Sequence, residues 1–138
     1  MESRIDQAHA RHQAGYNCAQ AVACTYADLF GMDEQTAFRA TEGFGLGMGG
    51  MEGTCGALTG ACFLAGLANS DGDLGQPGTK GSTYKISREI LDRFHEMNGS
   101  TTCRELKGVG SEHGPLRACP GCVEDACRIV EETLLADK

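Results

Sequence analysis

Residues Gly43–Gly66 read GFGLGMGGMEGTCGALTGACFLAG. The glycine-dense first half predicts a loop, and the small, apolar second half predicts a helix from Cys55 to about Ala68. Thr54 is of a type that caps helices, so Cys55 would occupy the first turn. Unpaired backbone N–H groups and the helix dipole there favour the nucleophilic, metal-ligating thiolate. Gly56, Ala57, Gly60, Ala61 and Ala65 give this helix a surface almost free of side chains. Glycine inside a helix costs about 1 kcal/mol against alanine, so close approach of a second helix or of a bound group is expected.

Three helices are expected before this stretch. Residues 2–14 are polar and Ala-rich, with Ile5, Ala8 and His12 on one face and Gly15 as the stop. Asn17, with Gln20 three residues on, makes a capping box and puts Cys18 first in a helix with Ala19, Val22, Ala23, Tyr26 and Phe30 as its apolar stripe. Asp33 caps a third helix over 34–44, with Ala37, Phe38 and Phe44 inward.

After the stretch, residues 69–81 (NSDGDLGQPGTKG) form a polar loop. Residues 82–97 are the clearest amphipathic helix, with Tyr84, Ile86, Ile90, Leu91, Phe94 and Met97 on one face. Thr102 and Glu105 form a second capping box and place Cys103 at the start of a short helix. Pro120, favoured as a first helical residue, places Cys119 at the start of the last helix, whose core stripe is Val123, Cys127, Val130 and Leu134. No run alternates long enough for a strand. The expectation is an all-α fold: one domain, 1–138, built as a compact bundle of five to six helices with a Gly-rich loop.

The net charge of −7, with no Lys/Arg cluster and no Trp, argues against nucleic-acid or membrane-surface binding. The longest apolar run, 61–68, is too short for membrane insertion. Eight cysteines behind a polar N-terminus that does not read as a signal peptide point to the cytoplasm, where cysteines mean metal or redox chemistry more often than disulfides. A redox partner is implied but not specified, and a homodimer is left open.

Cys18, Cys55, Cys103 and Cys119 all fall at expected helix starts. Packing alone does not predict that coincidence, although it accounts for Cys127 in a core stripe and for Cys24, which has no cap beside it. Helix N-termini supply positive potential that a cluster of thiolates needs. Cys119-Pro-Gly-Cys122 is also a C-x-x-C, a spacing shared by redox pairs and metal knuckles. Cys62 lies two helical turns from Cys55, some 10 Å away, which leaves it to packing or to the edge of a site.

Cys18, the run Cys55-Gly-Ala-Leu-Thr-Gly60, Cys103 in TTCREL and Cys119 ahead of VEDA resemble the C-GCAxxG-C-C family, small proteins described as redox-active and named for four cysteines. The resemblance covers nearly the whole chain and supports the same four cysteines without supplying a reaction.

Three other signals are weaker. Gly45, Gly47 and Gly50 satisfy G-x-G-x-x-G, but no strand precedes them as a dinucleotide fold requires. Asp71 and Asp73 lack the rest of a Ca²⁺ loop. Among the histidines, His113 is the best candidate ligand or proton donor because it lies near Cys119 in sequence; His9, His12 and His95 read as solvated or boundary residues.

Three functions compete. In the first, Cys18, Cys55, Cys103 and Cys119 ligate an iron–sulfur cluster or another thiophilic metal for electron transfer, with either member of the C-x-x-C, Cys119 or Cys122, able to be the fourth ligand and with Gly47, Gly49 and Gly56 lining the cofactor. In the second, Cys119 and Cys122 are the working pair of a thiol–disulfide oxidoreductase, with Cys55 as partner; in this reading Cys55, Cys119 and Cys122 are the catalytic set. In the third, the cysteines hold a structural zinc in an interaction module. Whether the protein is an enzyme is left open.

Overall fold

The computed structural model describes residues 1–137. Among these, the secondary structure is helical, with one isolated bridge between Thr54 and Thr102. Seven α-helices are distinguished: α1 (Ile5–Gln13), α2 (Cys18–Tyr26), α3 (Glu34–Thr41), α4 (Gly56–Asn69), α5 (Lys80–Asn98), α6 (Cys103–Lys107) and α7 (Cys119–Leu134). The all-α expectation is met.

Helix α2 is the centre of the packing. Every residue from Ala19 to Tyr26 is buried, as expected for a helix covered on all sides. Its Asn17–Gln20 capping box forms as the sequence predicts, with Asn17 accepting from the Gln20 N–H and Gln20 accepting from the Asn17 N–H. Buried Gln20 spends its amide N–H on the Phe38 carbonyl at 3.0 Å, which ties α2 to α3.

The bare surface of α4 packs on α2. A Cβ at Gly60 would lie 2.7 Å from the Ala19 carbonyl oxygen, so only glycine allows this approach. Helices α5 and α7 close the other side of the core, where Ile90 and Phe94 meet Val123, Ala126 and Val130. Burying each large apolar side chain contributes about 1.5–3 kcal/mol. Tyr84 and Met97, expected on the buried face of α5, are exposed instead.

Two expected caps are absent. Helix α4 begins at Gly56 with Cys55 itself as the cap residue, and α6 begins at Cys103 with no side-chain cap bond from Thr102. Thr54 and Thr102 are engaged with each other in the isolated bridge, which holds their backbones extended. The Cys55 N–H donates to the Thr101 carbonyl at 2.8 Å, and the Cys103 N–H to the Gly53 carbonyl at 3.0 Å. The starts of α4 and α6 are thereby stitched side by side.

The glycine stretch is more ordered than a loop. Leu46, Gly47, Met48 and Gly49 all have positive φ, making a short left-handed turn fastened by the Met51 N–H to the Leu46 carbonyl. Residues 42–44 form a 3₁₀ turn, so the third helix ends earlier than 44.

Candidate functional site

Four helices begin around one cavity of about 220 Å³. Cys18 is the first residue of α2, Cys103 of α6 and Cys119 of α7, while Cys55 caps α4. All four line the cavity, and so does Cys122, one turn into α7. The cavity thus takes in five of the eight cysteines, and both members of the C-x-x-C. Cys55, Cys103 and Cys122 are buried, whereas Cys18 and Cys119 are half-buried.

The thiols differ in ionisation. Cys119 is lowered to about 5, first by the Cys18 thiol donating to it and then by Lys107, whose Nζ lies 3.0 Å from the Cys119 sulfur. Cys55 is also lowered, first by the Cys122 thiol donating to it and then by the Ala57 and Leu58 N–H groups. The Leu58 N–H is bonded to the Cys55 carbonyl at 2.9 Å, and no side-chain cap bond forms. Cys18 and Cys122, the donors of the two pairs, are raised. Cys103 is raised by burial. A helix start therefore lowers two of the four thiols it was expected to lower. At Cys18 the neighbouring thiolate outweighs the dipole, and at Cys103 burial at a five-residue helix does so.

The lining is unusual for an acidic protein: among the described residues it holds no carboxylate and three cationic or ionisable nitrogen side chains, His12, Lys107 and Arg117. His12, not His113, is the histidine of the cavity; its Nε2 is 3.8 Å from the Cys18 sulfur. His113 is exposed in the loop before α7. It lies near Cys119 in sequence but does not line the cavity, whereas His12 of α1 does.

Arg117 lies over Gly121 of the C-x-x-C, where a Cβ would meet its Nε at 2.4 Å. Its Nε donates to the buried Asp125 carboxylate at 3.1 Å, and its carbonyl oxygen lies 3.7 Å from the Cys122 sulfur. No sequence motif marks this residue.

The expected glycines divide. Gly56 lines the cavity. At Gly47 a Cβ would lie 2.5 Å from the Cys103 Cβ, so the absence of a side chain lets the turn rest on that cysteine. Gly49 faces open space and serves its φ of +90° alone. Cys62 faces a separate apolar groove with Phe44, Met48 and Phe63. Cys127 is fully buried in the core and pushed up to about 12 by burial.

Two kinds of chemistry can be tested against these residues. A mononuclear zinc site needs four donors around one point, and among the described residues no three His, Cys, Asp or Glu side chains group in that way. A larger thiophilic group fits the donor chemistry, since the cavity offers soft sulfur and no competing carboxylate. Among the described residues, no helix is long and apolar enough to cross a membrane.

Residues 16–133 match the family model described as "Putative redox-active protein (C_GCAxxG_C_C)". No curated protein and no solved structure matches the chain.

Proposed function

The chain belongs to the C_GCAxxG_C_C family, and on that premise we propose that it is a thiol redox protein whose working residue is Cys119. The observation that carries this is the pairing of a half-buried cysteine, first in α7, with the Lys107 ammonium 3.0 Å away. Such a thiol is a thiolate at neutral pH and open to attack a disulfide. Cys18, whose thiol donates to Cys119, is the nearest candidate to resolve the product.

The reaction balances as thiol–disulfide exchange. The Cys119 thiolate attacks one sulfur of a small disulfide, and the other sulfur leaves as a thiolate. Cys18 then loses its proton to His12 or water and attacks the Cys119 sulfur, which releases the second half as a thiol. One external disulfide is reduced to two thiols, and two protein thiols become one disulfide. A protein that works through free thiols suits the cytoplasm.

The test is to expose the reduced protein to oxidised glutathione and map its disulfides by mass spectrometry. A Cys18–Cys119 link, lost in Cys119→Ser, is the expected result. An unchanged thiol count after prolonged exposure would sink the proposal.

The carboxylate-free lining favours a second reading, in which Cys18, Cys55, Cys103 and either Cys119 or Cys122 hold an iron–sulfur cluster. When bound, such a cluster would supply one-electron transfer. The protein's part would be to present the thiolates, to offset their charge with Lys107 and to keep water away through Leu46 and Leu106. Anaerobic purification distinguishes the two: a brown protein with visible absorption supports the cluster, and a colourless one does not.

A further inference from the structure

Leu46 occupies a backbone conformation that leucine rarely adopts. Its φ and ψ are 53° and 42°, and the next three residues continue with positive φ. In this region the leucine Cβ crowds the carbonyl that follows it, whereas glycine bears no such penalty. The conformation is held by three hydrogen bonds within residues 45–53, from Gly49 N–H to Gly45, from Met51 N–H to Leu46 and from Gly53 N–H to Gly47. Strain of this kind persists where the surroundings over-determine it, and it concentrates at functional sites.

The neighbouring glycine explains itself, because any side chain at Gly47 would strike Cys103. Leu46 carries a large side chain where the backbone calls for none. That side chain is not core: it is 49% exposed, and yet it lines the cysteine cavity. A residue that borders both the cavity and solvent stands at the mouth. Cys18 and Cys119 line the same cavity as Leu46 and are its less buried thiols.

We propose that Leu46 is the gate of the cavity and sets the size of the molecule that reaches Cys119. Its side chain narrows the mouth so that low-molecular-weight thiols and disulfides enter, while bulky partners are turned away. This rests on the cavity being the working site, and it names the substrate class of that site: small sulfur compounds rather than folded proteins.

The test compares Leu46→Gly and Leu46→Ala with the unaltered protein, reduced and metal-free. Alkylation of Cys119 is timed with iodoacetamide and with a polyethylene-glycol maleimide, and Cys127 serves as the internal control. Both variants should speed the bulky reagent at Cys119 about tenfold, while iodoacetamide changes by less than about threefold and Cys127 stays unlabelled. Leu46→Gly should also melt no lower than the unaltered protein, because glycine relieves the backbone. An unchanged ratio of bulky to small rates would overturn the gate. So would a rise shared by Cys127, which would make Leu46 a packing residue. The ratio is independent of disulfide cycling, so a failed glutathione experiment would remove the redox reading and leave the gate standing.

Discussion

The Lys107 Nζ and the Cys119 Sγ are 3.0 Å apart, joining the last residue of α6 to the first of α7. The contact is a charge-assisted hydrogen bond in a cavity with no carboxylate to compete for the lysine. It makes Cys119 the thiol whose ionisation is most open to test.

Alkylation of Cys119 should already be fast at neutral pH, with a rate profile whose midpoint is about 5. Lys107→Met should move that midpoint upward and slow labelling at pH 6, measured by quantitative mass spectrometry. The sign for stability follows. A thiol depressed in the folded state contributes its full stabilisation above the ordinary thiol range, and that contribution is lost as pH falls toward about 5. An unmoved midpoint in Lys107→Met would show that Cys18 alone sets the ionisation.

Cys127 should behave in the opposite way. It is fully buried and pushed up to about 12, so it should stay unlabelled in the folded protein while Cys119 reacts. Cys55, although lowered, is only 5% exposed and should label more slowly than Cys119. Peptide-resolved labelling times at pH 7 check the order, and comparable rates at Cys119 and Cys127 would contradict it.

Gly47→Val should destabilise the protein by about 1–3 kcal/mol through overpacking, because its first side-chain carbon would lie 2.5 Å from the Cys103 Cβ, and by about 1–2 kcal/mol more for a side chain at φ +55°. Gly49→Ala meets nothing within 4 Å and should cost about 1–2 kcal/mol, the left-handed backbone penalty alone. Urea unfolding gives both values, and labelling of Cys103 should accelerate only in Gly47→Val.

In α4 two glycines should respond with opposite signs. Gly60→Ala places a Cβ 2.7 Å from the Ala19 carbonyl oxygen and should force α2 and α4 apart, lowering stability. Gly66→Ala faces open space in the same helix and should raise stability by about 0.5–1 kcal/mol. Melting curves of the two variants check this pair, and equal shifts would mean that the helix contact is looser than it stands here.

Gly121→Ala should push Arg117 off Asp125, since its Cβ would lie 2.5 Å from the guanidinium carbon. Asp125 would then keep only its bond from Asn98 at 3.2 Å, a buried carboxylate without its cation. The expected cost is about 1–3 kcal/mol. Gly121→Ala with Asp125→Asn should cost less than the two single changes added together, a non-additivity that a double-mutant unfolding cycle reads directly.

Most of the helices were legible because their signals are local. The Asn17–Gln20 box, Asp33 before Glu34 and Pro120 after Cys119 each act within one turn, so α2, α3 and α7 begin where the residues say. Thr54 and Thr102 carry the same kind of signal, yet neither caps. Their backbones are taken up by each other, and a pairing between residues 48 apart in sequence is invisible to a local rule.

The same division applies to the cavity. The sequence by itself determined an all-α fold, four cysteines at or beside helix starts, and a family in which those four recur, because helix periodicity, capping chemistry and residue type are properties of neighbouring residues. Only the tertiary structure decided that both Cys119 and Cys122 line the cavity rather than one of them, that His12 rather than His113 stands beside Cys18, and that Lys107 and Arg117 face a lining without carboxylates among the described residues. It also decided which thiols ionise. A helix start offers each of them a dipole, but the charge each holds depends on what folding brings to its sulfur: the donating Cys18 thiol and then a lysine at Cys119, a donating thiol at Cys55 and burial at Cys103.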